Sequence, residues 1–123
     1  MDYRGYQSYK QQSVNTMTKG EMLILLYDEI VKRLTRADFA LQKQDFVVFT
    51  QSVDRATDIV RYLIETLNFE YSVSRDLKRM YDYFLFELAR LQAGRNPSII
   101  VELQGLVKEL REAYATASQQ SGV

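Results

Sequence analysis

Residues 18–43 read TKGEMLILLYDEIVKRLTRADFALQK, and the apolar spacing in this stretch decides the fold class. Leu23, Leu26, Ile30, Leu34, Ala37 and Leu41 follow one another at intervals of three and four. At about 100° per residue that spacing gathers them on one face of an α-helix, whereas a strand would need strict alternation. The start is signalled too. Thr18 and Glu21 form a T-x-x-E capping box, in which hydroxyl and carboxylate each satisfy a backbone N–H of the first turn, and Met17 and Met22 occupy the two positions of a hydrophobic staple. The pattern predicts a helix from Thr18 to about Lys43.

Three further segments repeat the pattern. Beyond Lys43-Gln44-Asp45, residues Phe49, Val53, Ala56, Val60, Leu63 and Leu67 define a second helix. Residues 68–74 read as a loop, with Ser72 or Ser74 placed to cap a third helix carrying Leu77, Tyr81, Phe84, Leu88 and Leu91. Gly94 can supply the left-handed residue that ends it. Asn96-Pro97 is an N-cap followed by proline at the first helical position, where a missing N–H matters least. The fourth helix then carries Ile99, Leu103, Leu106, Leu110, Tyr114 and Ala117. Short connections force sequential helices to be antiparallel neighbours. The expected fold is all-α: one domain over residues 1–123, an up-down-up-down four-helix bundle over 17–117. Residues 1–16 form a mobile arm or short capping helix, and 118–123 a disordered tail. In this topology the first and third helices lie diagonally and point the same way, and Leu26-Tyr27-Asp28 on one echoes Met80-Tyr81-Asp82 on the other.

Composition excludes most chemistry. The chain has no histidine and no cysteine, which removes the commonest general base, the thiol nucleophile, disulfides and the usual zinc ligands together. A bundle-core di-iron site needs Glu-x-x-His motifs that cannot be written here. Asp28, Glu29 and Asp82 do not converge with other acids on the core stripes, and no phosphate-binding loop, dinucleotide fingerprint or nucleophile elbow occurs. No enzyme activity, metal or cofactor is expected. Sixteen basic residues balance sixteen acidic ones, so no net field draws nucleic acid. Arg75, Lys78 and Arg79 read as a solvated helix turn. The start lacks the basic flank and apolar run of a secretory signal, and no stretch approaches the ~18 apolar residues of a membrane span. A cytoplasmic protein without membrane insertion is expected.

The positive signal is surplus apolar surface. Each helix of a bundle needs one stripe, yet residues 22–27 are apolar all the way round, and Leu25 lies about 160° from Leu23. Phe86 lies about 180° from Leu77, Tyr83 falls off the edge of the same stripe, and Val47 and Val101 are similarly placed. Ile24 and Val31 sit at the margin. Collected off-stripe residues of this kind mark a partner surface. Tyr3, Tyr6 and Tyr9 recur every three residues beside Gln7, Gln11 and Gln12 in an arm too sparse to fold alone, which suits either a fixed cap or an exchangeable lid.

The order of these features resembles the flagellin-specific export chaperone family, FliS. The similarity is carried by Tyr9-Lys10-Gln11-Gln12-Ser13-Val14-Asn15-Thr16, then Leu23 and Leu26-Tyr27-Asp28. It continues through Ala56, Ile59, Leu63 and Leu67 to Tyr81-Asp82-Tyr83, and it spans residues 6–115. The resemblance implies a cytoplasmic bundle that binds the disordered C-terminal segment of flagellin, prevents premature polymerisation and delivers it to the flagellar type III export apparatus. Off-stripe positions and resemblance together give a candidate partner-binding set of Tyr6, Tyr9, Gln12, Val14, Ile24, Leu25, Tyr27, Asp28, Val31, Tyr81, Tyr83 and Phe86. The alternative is a self-associating or regulatory helical bundle whose second apolar face is buried by a copy of itself. Weak self-association of the partner-free chain is compatible with the first reading as well.

Overall fold

Each periodic segment forms a helix in a computed structural model that describes residues 19–120, with side chains described to residue 117. Helix α1 spans Lys19–Gln42, α2 Phe46–Glu65, α3 Val73–Gly94 and α4 Pro97–Gln120. The expectations that fall on residues 1–18, including the tyrosine arm, the Met17 staple and the Thr18 cap, lie outside the described residues. Neighbouring helices run antiparallel. Asp28 and Val31 of α1 meet Arg111 and Gln104 of α4 in reverse order, and Asp54 of α2 meets Gln92 of α3. α1 packs closely on α2 and α4, α3 lies on α2, and the α3/α4 seam is the thinnest of the four. α1 and α3 are therefore diagonal, as the short connections require.

The stripes expected on α2 and α3 form the core: Phe49, Val53, Ala56, Val60 and Leu63 are buried, and so are Leu77, Tyr81, Phe84, Leu88 and Leu91, whereas Leu67, expected on the same stripe as Leu63, lies past the end of α2 and is only partly buried. On α1 the buried set is Tyr27, Ile30, Leu34, Ala37 and Ala40, while Leu23, Leu26 and Leu41 are only partly covered. Those three lie toward the helix ends, where fewer neighbours surround them. On α4, Ile100 and Val107 join Ile99 and Leu103 inside, and Leu106, Leu110 and Tyr114 are partly buried. The face of α4 is turned toward α1 because that seam is tighter than the one with α3.

Three local expectations need correction. The left-handed residue after α3 is Arg95 (φ 54°), not Gly94, and its N–H donates to the Leu91 carbonyl at 2.8 Å. That conformation costs roughly 1 kcal/mol for a residue with a side chain, offset in part by the Arg95 guanidinium 3.8 Å above the Phe46 ring. Neither serine caps α3: Ser72 makes no capping bond, and the buried Ser74 hydroxyl donates instead to the Asn68 carbonyl at 2.5 Å, pinning the loop. α4 continues past Ser118 to Gln120, since adding a residue to a formed helix is far easier than starting one. Asn96 sits at the start of α4 as expected and accepts from the Ser98 N–H at 3.0 Å. Asp45, read only as part of a connection, caps α2 by accepting from the Val48 N–H at 3.2 Å. No helix among the described residues is long and apolar enough to cross a membrane.

Candidate partner-binding surface

The helical phase places the surplus apolar residues outside. Leu25 is 40% exposed, Tyr83 42%, Phe86 61% and Val101 71%, so the core is not what keeps them apolar. Leu25 and Phe86 project outward from the two diagonal helices and therefore lie on opposite sides of the bundle. α4 lies between them. At the α1/α4 seam, half-buried Ile24 and Val31 flank Asp28, whose carboxylate accepts from Arg111 Nε at 2.9 Å. Gln104 Nε2 donates to the Val31 carbonyl at 3.2 Å and to Thr35 Oγ1 at 2.8 Å, closing that seam with polar contacts. At the α3/α4 seam, a shallow depression of about 540 Å³ is lined by Asp76, Arg79, Met80, Tyr83, Glu102 and Leu106. Val101 stands on the outer face of α4. Val47 stands 69% exposed on α2, so the exposed set is spread over all four helices and is not a single patch.

Polar groups at the thin seam are unusual. The Tyr83 hydroxyl donates to Glu102, and that hydrogen bond pushes its pKa up to about 12. Glu87 is 2% exposed. One carboxylate oxygen accepts from Arg90 Nη1 at 2.7 Å, while the other has no partner among the described residues. A buried acceptor left unmet costs about 1–3 kcal/mol. Glu87 is three residues from Phe84 and four from Leu91, on the core phase of α3, so a charged residue on an apolar stripe is a signal that sequence reading passed over.

Two members of the candidate set are not at the surface. Tyr27 and Tyr81 are fully buried, with hydroxyls 2.5 Å apart across the bundle diagonal. The echo of Leu26-Tyr27-Asp28 in Met80-Tyr81-Asp82 is a packing device: the two central tyrosines satisfy each other's hydroxyl where no water reaches. Burial pushes both phenols up, Tyr81 to about 12, and the Tyr114 ring lies 6.0 Å from that of Tyr27. A Tyr27→Phe substitution leaves the Tyr81 hydroxyl alone in the core. It is expected to destabilise the fold by about 1–3 kcal/mol in urea unfolding. The double Tyr27→Phe/Tyr81→Phe variant is expected to lose less than the sum of the two single losses; strict additivity would show that the hydroxyls do not depend on each other.

Tyr6, Tyr9, Gln12 and Val14 lie outside the described residues. The bundle end at the start of α1 holds a pocket of about 290 Å³. Leu23, Leu67, Tyr71, Leu77, Tyr81 and Tyr114 are among the residues that line it, beside Lys19 at the start of α1. No group of three or more His, Cys, Asp or Glu among the described residues is placed to hold a metal ion.

Comparison with known proteins agrees with this architecture. A family model for flagellar protein FliS matches residues 2–121. The flagellar secretion chaperone FliS of Bacillus subtilis (strain 168) is 31% identical over 114 residues, covering 93% of this chain and 86% of that protein. A crystal structure of a bacterial flagellar chaperone superposes with a TM-score of 0.80 at 16% identity, covering 98% of this chain and 99% of the other, which speaks to the fold.

Proposed function

The chain belongs to the FliS family of flagellar secretion chaperones, and from that membership we propose that it holds the C-terminal segment of flagellin in the cytoplasm. By covering that segment it keeps flagellin from polymerising early, and it presents the bound chain to the flagellar type III export apparatus. FliS is a chaperone family and not an enzyme family, in keeping with a chain that has neither histidine nor cysteine.

The observation that carries this proposal is the set of apolar residues left exposed outside the core on several helices, among them Leu25, Val47, Tyr83, Phe86 and Val101. Dispersed apolar sites suit an extended partner that wraps the bundle and folds as it binds, since broad contact then offsets the entropy of ordering the segment. A compact partner would need one face. The tyrosine arm completes the proposal as a lid over apolar surface at the bundle end. Amide hydrogen exchange over residues 3–14 is expected to quicken when flagellin is added, and unchanged protection would make the arm a fixed cap. The direct test is co-expression with a flagellin C-terminal segment followed by co-purification. A one-step complex is expected. Recovery of the chain as a stable dimer that excludes the segment would favour the self-associating reading instead.

A further inference from the structure

On the side of α1 turned away from Asp28 and Val31, α1 and α2 enclose a depression of about 310 Å³ lined by Arg33, Arg36, Gln51, Ser52 and Arg55. Three guanidiniums share this space. Arg33 has Glu29 at 3.2 Å in an exposed pair one turn away, whereas Arg36 and Arg55 have no hydrogen-bond or ion-pair partner among the described residues. The chain has as many acids as bases, so this is a matter of placement and not of excess. Like charges one turn apart, such as Arg33 and Arg36, weaken a helix, and only Arg33 of the three has an ion-pair partner among the described residues. Farther along the same seam lies a second depression of about 220 Å³, lined by Lys19, Met22, Leu23, Leu26, Tyr62 and Thr66 and largely apolar. Met22 and Arg33 are separated by about 16 Å of helix at 1.5 Å per residue.

We propose that the α1/α2 seam docks an acidic segment of a second protein. Its carboxylates sit on Arg36 and Arg55, and its apolar side chains lie about 10–20 Å farther along the helices against Met22, Leu26 and Tyr62. Guanidinium forks match carboxylates in bidentate pairs, which fixes the occupant's charge. The cationic stretch is too short to follow a phosphate backbone, and its continuation is apolar, so a peptide fits better than nucleic acid. The seam lies on the opposite side of the bundle from Tyr83 and the α3/α4 seam. Cargo on one side and an acidic partner on the other can therefore be held together, and this inference does not rest on which cargo is held.

The test uses the full chain, isotope-labelled, titrated with a synthetic peptide carrying three glutamates, a four-residue Gly/Ser spacer and a Leu-Leu-Phe end. Amide shifts are expected at Arg33, Arg36, Gln51 and Arg55 and also at Leu26 and Tyr62, weakening as salt is raised. The Arg36→Glu/Arg55→Glu variant is expected to bind roughly tenfold more weakly, and a peptide with glutamines in place of the glutamates should not bind. Both arginines are exposed, so circular dichroism should be unchanged; if it is not, Arg36→Gln/Arg55→Gln replaces that variant in the same titration. Equal affinity for the substituted chain, or no shifts in this seam, overturns the proposal. So does inorganic phosphate alone reproducing the shifts at Leu26 and Tyr62.

Discussion

Replacing Phe86 with aspartate is expected to weaken binding of the flagellin C-terminal segment by about 2–4 kcal/mol, the range of a central interface residue. At 61% exposure, Phe86 loses little from the free protein when it is removed, so unfolding stability should stay within about 0.5 kcal/mol of the parent. In the complex the same position would be covered, and a carboxylate with no partner there is expensive to desolvate. Titration calorimetry alongside urea unfolding separates the two quantities. Loss of stability without loss of binding would remove Phe86 from the partner surface.

Two residues earlier on the same helix the expected outcome reverses. Phe84 is 1% exposed, with its ring 6.2 Å from that of Tyr81 in the middle of the core. Phe84→Ala is expected to destabilise the chain by about 3–5 kcal/mol, because the transfer energy of the ring is lost and a cavity remains between helices that cannot fully close. Phe86→Ala in parallel should stay within about 0.5 kcal/mol. A denaturation series on both variants checks the phase of α3. Similar losses at the two positions would mean that the helix is rotated from the orientation described.

The stripes of α2 and α3 were legible residue by residue, because a regular three-four spacing fixes which face is apolar. The rotation of that face toward its neighbours was not. Tyr27 on α1, and Ile100 and Val107 on α4, are buried because α1 and α4 pack tightly, and periodicity within one helix carries no record of which seam is tight. The same limit explains Tyr27 and Tyr81. Their family-like pattern read as a partner surface, yet a hydroxyl pair across the diagonal is visible only once two segments 54 residues apart are brought together. Leu25, Tyr83 and Phe86 were legible as exposed, since surplus apolar residues outside a stripe can be counted on one helix. That Leu25 and Phe86 face opposite sides follows from the diagonal placement of α1 and α3, which the short connections also predict. Glu87 could have been found, as a charged residue on the core phase.

The proposal that this chain holds flagellin by its C-terminal segment is tested most directly by calorimetry against two flagellins, one intact and one lacking that segment. Saturable binding to the intact protein, with the large negative heat-capacity change of a segment that folds as it buries apolar surface, is expected. The truncated protein should give no heat. Equal binding to both, or binding to neither, would contradict it.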